Sequence, residues 1–297
     1  MIGGVNLWDP THVSFTVDLL TAFLLGIVHG VTPDEHTWPI TFSYAVGGYS
    51  TRRGLRAGLL FSLAFAIQAA LASELAHFGM TQWFASETFD NAVYLAVGIV
   101  MAAAGLFAMG RGVLPHLHLP GLRRPQEQAP VQPRELQWWM PAVHGFIAGW
   151  GIDAFSAIIY TTLAPAMPSA ATGWMPGFVF GCGTLCVQAA AGAAFGAWAM
   201  RRGLPNEAIR TIALTTAART LTWGGLAFAM FGLFGLAFPG ATDVAVRTPL
   251  HIHNLDTLGL PLLLLIVVVL GVGVTSFVTA TQACRRRLFA EPAGIKP

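Results

Sequence analysis

HGVTPDEHTW, residues 29–38, follows directly on the apolar run VSFTVDLLTAFLLGIV at residues 13–28. Its two imidazoles and two carboxylates, His29, Asp34, Glu35 and His36, stand within eight residues at the end of an oily segment. A charged group at the centre of a membrane helix costs about 2.5–3.5 kcal/mol on insertion scales, so a cluster of this kind persists only where it reaches water or binds something. Composition makes the membrane the relevant solvent: of 297 residues, 55% are hydrophobic and 10% charged, against roughly 25% charged in an ordinary soluble domain. The chain reads as an all-α integral membrane protein, in contact with the lipid bilayer, with no enzymatic activity and no nucleic-acid partner expected.

Working outward, apolar segments of spanning length lie at about 14–31, 57–78, 92–110, 139–164, 174–200, 210–238 and 258–282, predicting seven transmembrane helices. The appendage WPITFSYAVGGY at 38–49 is too short to span alone. Arginines cluster after the first, third, fifth and seventh segments, as in Arg52, Arg53 and Arg56, while the opposite loops hold only Arg247. By the bias of basic residues toward the cytoplasm, this predicts an outside N-terminus, a cytoplasmic C-terminus and, at 111–138, a cytoplasmic linker rich in proline and arginine. The N-terminus has no basic residue before the first apolar run, so no cleaved signal is expected. Cys182, Cys186 and Cys284 fit neither a disulfide framework nor a CxxC pair and read as small apolar fillers.

The linker separates two similar halves, residues 1–110 and 139–240, followed by an outer loop, the seventh helix and a tail at 241–297. VHG at 28–30 recurs at 143–145, QAA at 68–70 recurs at 188–190, and Gly98 with GLF at 105–107 recurs as Gly225 with GLF at 232–234. Three spans per half is an odd number, so the second three-helix repeat is expected inverted relative to the first. Inverted repeats with interrupted helices are a transporter design whose site lies near the midplane, where the repeats meet.

On an unbroken helix His29 and His36 would stand about 10 Å apart along the axis, too far for one ion. Pro33 interrupts that helix by removing a donor and restricting Thr32, and with the chain turned there His29, Asp34 and His36 can converge. A second reading stays open: Thr32, Pro33, Asp34 and Glu35 also match a helix start with proline at its first position, though Pro39 would then fall inside the second turn. The other half offers HGFIAGWGIDAFS at 144–156, which, with four residues inserted relative to the first copy, places His144 opposite His29 and Asp153 opposite Asp34, with Gly149 and Gly151 as the pliable backbone.

The stretch His29-Gly30-Val31-Thr32-Pro33-Asp34-Glu35-His36 resembles the H-x-x-x-x-D-H signature of the nickel/cobalt transporter family, and Gly149-Trp150-Gly151-Ile152-Asp153 is similar to that family's G-x-G-x-D segment. The likeness covers the two motif helices; Glu35 is an extra residue between the aspartate and the second histidine. The resemblance implies a permease of the inner membrane of a prokaryote, with nickel or cobalt as transported substrate rather than cofactor, and a metal site at His29, Asp34 and His36; the match between the halves adds His144 and Asp153 as further metal-binding partners. Imidazole with carboxylate suits such ions better than magnesium or calcium, which favour all-oxygen sites.

Other features fit around this expectation. Asp9, Glu87, Asp90 and Asp243 face a single Arg247 in the outer segments, with His12, His251, His253 and Asp256 nearby in sequence, an acidic mouth that would concentrate cations. No phosphate loop of the G-x-x-x-x-G-K-[ST] type occurs, so no ATPase is expected on this chain. A potential of about 100 mV is worth roughly 4.6 kcal/mol to an entering divalent cation. Asp18, Gln68, Glu74, His77 and Gln188 are isolated polar groups within the spans and read as incidental. The lack of an intramembrane lysine excludes a retinal receptor, and two cysteines on one helix do not suit a thiol-redox carrier. An exporter of an amino acid, an anion or a metal from the same broad superfamily is the remaining rival.

Overall fold

The computed structural model describes residues 14–32, 37–110, 134–200, 205–241, 245–247 and 257–290. Asp34 and His36, the linker up to residue 133, and the outer residues Asp9, His12, Asp243, His251, His253 and Asp256 lie outside the described residues.

The described chain is helical: α1 (Phe15–Val31), α2 (Trp38–Gly47), α3 (Thr51–His77), α4 (Glu87–Ala108), α5 (Met140–Ala148), α6 (Ala154–Ile158), α7 (Met175–Met200), α8 (Asn206–Ala237), α9 (Leu260–Ile266) and α10 (Thr275–Ala290). Wider π turns continue α6 over Ile159–Leu163 and join α9 to α10 over Val267–Val274. One departure from the all-helical expectation is a short antiparallel ribbon, β1 (Ala245–Arg247) on β2 (Thr257–Gly259). Serines start three helices, since Ser14, Ser50 and Ser86 accept the backbone N–H three residues on in α1, α3 and α4.

Four described helices, α3, α4, α7 and α8, are long and apolar enough to cross a membrane. Their outward faces agree. Leu55, Leu59, Leu63, Ile67 and Leu71 are 38–48% exposed at strict four-residue intervals on α3, and Trp223, Leu226, Met230 and Leu233 are exposed on α8. Stripes of that size face lipid or a partner rather than water.

The interior is assembled from helix pairs that run in opposite directions. Along α3 and α7, Gly54 abuts Gly192, Gly58 abuts Gln188 and Ala69 abuts Gly177, one number rising as the other falls. Along α4 and α8 the contact is reciprocal: a β-carbon on Gly98 would lie 2.2 Å from the Ala229 nitrogen and 2.6 Å from the Gly225 oxygen. On Gly225 it would lie 2.3 Å from the Ala102 nitrogen and 2.6 Å from the Gly98 oxygen. Close backbone approach of this kind is how small residues associate helices in lipid. The short first helices exchange partners: α1 lies along α7, with Gly26 against the Phe180 carbonyl, and α5 lies along α3, with Gly145 against the Phe61 carbonyl.

One end of the bundle gathers the arginines. The Tyr49 hydroxyl donates to Glu135 at 2.7 Å, Arg53 donates to Tyr49, and Arg53 and Arg210 approach the same carboxylate at 3.7 and 3.3 Å. Tyr49 has φ +40°, in the tight turn that joins α2 to α3. Arg56 lies over the Trp138 ring. A cavity of about 280 Å³ opens here and reaches inward to Tyr44.

Candidate functional site

Both expected helix interruptions are present, and their chemistry differs. At the first, Thr32 is extended at φ −67°, ψ 130°, the conformation that a following proline imposes. Its backbone N–H and its hydroxyl both donate to the Val28 carbonyl, at 2.9 and 2.8 Å. Thr32 therefore closes α1. The helix start that the sequence also allowed at Pro33, Asp34 and Glu35 lies outside the described residues; α2 begins at Trp38, with Pro39 in the first turn where proline is tolerated. His29 sits in the last turn of α1, 4% exposed.

At the second, α5 ends at Gly149 and the chain crosses Trp150, Gly151 and Ile152 before Asp153 caps α6. The Ser156 N–H donates to Asp153 Oδ1 at 2.7 Å and the Asp153 N–H donates to Ser156 Oγ at 2.9 Å, a complete capping box. Asp153 Oδ2, the oxygen that the cap leaves over, lies 2.9 Å from His29 Nδ1. The two interruptions thus meet, one residue from each half, across 124 positions of sequence.

Aromatic rings wall the pair. Phe65 of α3 stacks on the imidazole at 5.5 Å and 13°, Phe180 of α7 lies at 5.2 Å, and Phe155 of α6 meets it edge-on. A carboxylate beside one ring nitrogen in an apolar shell orients the ring, as carboxylates behind metal-binding histidines do. In chemical terms the arrangement is an oriented imidazole backed by a partly buried carboxylate. It suits binding a cation or handling a proton.

Of the five residues predicted to bind metal, the structure brings His29 and Asp153 together. His144 is buried in a different pair: its Nδ1 lies 2.9 Å from the Tyr44 hydroxyl and 3.0 Å from the Met140 carbonyl. Asp34 and His36 are not described, and among the described residues no group of three or more His, Cys, Asp or Glu side chains converges as a metal cradle.

Two residues set aside as incidental stand at the interruptions. Gln188 of α7, fully buried, donates through Nε2 to the Thr37 hydroxyl at 3.4 Å, where α2 begins. Gln68 of α3 packs against Gly149, where α5 ends. Each glutamine belongs to one half and touches the interruption of the other. The sequence signal that marks both is the QAA triplet, at 68–70 and 188–190. Comparison with protein-family models, with curated proteins and with solved structures gives no match to this chain.

Proposed function

We propose that this chain is a membrane permease that moves a divalent transition-metal cation, nickel or cobalt, through a site formed where the interrupted first helices of two inverted halves meet. The observation that carries the reading is the contact of His29 with Asp153, which joins the two interruptions through a histidine and a carboxylate of different halves. Asp153 holds the ring so that Nε2 faces the cargo, and Asp34 and His36 complete the donor set. The antiparallel run of α3 on α7 and α4 on α8, with the exchange of partners by α1 and α5, supports inversion, because halves related by an axis along the membrane normal would pair like helices in parallel.

In this reading the chain crosses a prokaryotic inner membrane seven times, with α1–α2, α5–α6 and α9–α10 each forming one interrupted crossing and the arginine-rich end cytoplasmic. The polar pair near mid-bundle compensates its own desolvation by holding cargo. A second reading, export of an organic solute, draws on one observation: the pair is walled by Phe65, Phe155 and Phe180, a surface that also suits an apolar moiety. Thermal stabilisation of the purified protein across nickel, cobalt, zinc, manganese and magnesium separates the two. The permease reading expects stabilisation by nickel and cobalt that His29→Ala removes; stabilisation by none of the five favours the solute.

A further inference from the structure

Gln68 is fully buried, and among the described residues neither its Oε1 nor its Nε2 has a hydrogen-bond partner. Burying a carboxamide without partners costs free energy, and cores ordinarily satisfy or remove such groups. Its counterpart Gln188 is bonded to Thr37. The two occupy equivalent places in the halves, so the difference between them is local.

The position of the orphan carboxamide is specific. A β-carbon on Gly149 would lie 2.3 Å from Gln68 Oε1 and 3.1 Å from Phe65 Cδ2. The missing side chain at the end of α5 is what gives the carboxamide oxygen its place. Phe65 is the ring that stacks on His29, so the carboxamide and the imidazole flank one aromatic side chain. A neutral carbonyl oxygen can replace water in the shell of a divalent cation without adding a charge that would trap it.

We propose that Gln68 is a cargo-contacting residue: its carboxamide oxygen takes the place of a cation-bound water as the ion passes the second interruption, next to the pair of His29 and Asp153. The proposal rests on the metal-permease reading and adds to it a neutral oxygen donor from the second helix of the first half. Gln188, tied to Thr37, holds the first interruption in shape and does not move with the cargo.

The test uses the full-length purified protein with cobalt as the probe, titrated calorimetrically, and the melting temperature of each variant without metal. Gln68→Leu removes both orphan atoms at similar size. It should weaken cobalt binding by about tenfold or more while leaving the melting temperature unchanged or raised, which a structural role would not produce. Gly149→Ala, whose methyl would displace the oxygen, should reproduce the weaker binding. Gln188→Leu should instead lower the melting temperature and change cobalt affinity little. Wild-type cobalt affinity in Gln68→Leu, when His29→Ala has lost binding, overturns the carboxamide assignment alone. A lowered melting temperature in Gln68→Leu, with binding lost only in proportion to unfolded protein, overturns it as well. A wild-type protein that binds neither cobalt nor nickel overturns this proposal and the permease reading together.

Discussion

The two helix interruptions end their helices by different means. The first uses proline: Thr32 is forced extended, α1 is closed by bonds back to Val28, and the histidine is left in its last turn. No side chain caps the helix that follows, because Thr37 makes no capping bond. The second uses glycine and a cap, and that cap is an aspartate whose spare oxygen reaches the histidine of the first. In the proposed reading Asp153 is therefore both a structural and a chemical residue, whereas His29 and Thr32 divide those tasks between them. Substitutions at the second interruption should disturb fold and site together, and substitutions at the first should separate them.

The largest effect is expected at His29. His29→Ala should weaken cobalt binding by about a hundredfold and stop uptake while the protein still folds, since the bonds from Thr32 to Val28 survive. Retained uptake would remove the first interruption from the proposed site. Next comes Asp153. Asp153→Ala should lower stability by about 0.5–2 kcal/mol through the lost cap, with a further ~1–3 kcal/mol for the buried imidazole nitrogen that loses its acceptor. Asp153→Asn keeps a good cap through its one carbonyl oxygen, and its amide N–H can donate to Nδ1 once the ring carries its proton on Nε2; it should fold better than Asp153→Ala, yet bind cobalt more weakly. Chemical denaturation of the two variants side by side measures the difference; equal destabilisation would deny the double role.

A smaller effect sharpens the contrast. Ser156→Ala removes half of the capping box and should cost about 0.5–1 kcal/mol. Thr32→Val leaves the backbone bond to Val28 in place and should cost less than about 1 kcal/mol, as hydroxyl bonds within membrane helices do. Thr32→Val as damaging as Asp153→Ala would show that the proline interruption depends on its side chain after all.

The smallest effect belongs to the arginine-rich end. Glu135 is held below the ordinary carboxylate range, first by the hydrogen bond from Tyr49 and then by Arg53 and Arg210, with partial burial opposing. A carboxyl shifted downward contributes stability that is present above its unfolded value, near 4.5, and is lost as pH falls through the lower folded value. Glu135→Gln should therefore melt slightly below wild type from pH 8 to about pH 5, and the gap should close at more acid pH. Because the carboxylate is half exposed, the gap is small. A gap that widened in acid would contradict the ion cluster.

Much of the helical layout was legible because hydropathy is a local property. The windows at 57–78 and 92–110 fall on α3 and α4, and the interruptions expected at Pro33 and at Gly149–Gly151 lie where α1 and α5 end. Roles that depend on the third dimension were not legible. Thr32 fits a helix start as well as a helix end by sequence, and only its bonds to Val28 show that it ends α1. Asp153 was expected opposite Asp34, but nothing in its neighbours indicates that one oxygen caps a helix and the other meets His29. His144 was expected opposite His29, yet it pairs with Tyr44, 100 residues away. Gln68 and Gln188 gain meaning only when each is seen against the other half. The π turns at Ile159–Leu163 and Val267–Val274 left no pattern in hydrophobic periodicity.

The central claim, that the two interruptions act as one cation site through His29 and Asp153, is tested most directly by a double-variant cycle on cobalt affinity. Calorimetric titration of wild type, His29→Ala, Asp153→Asn and the double variant gives the coupling between them. If Asp153 acts through the ring it orients, the second substitution adds almost nothing to the first, and the coupling exceeds about 1 kcal/mol. Additive losses, or a double variant with wild-type affinity, would mean that the contact between the two helix interruptions is packing and not the site.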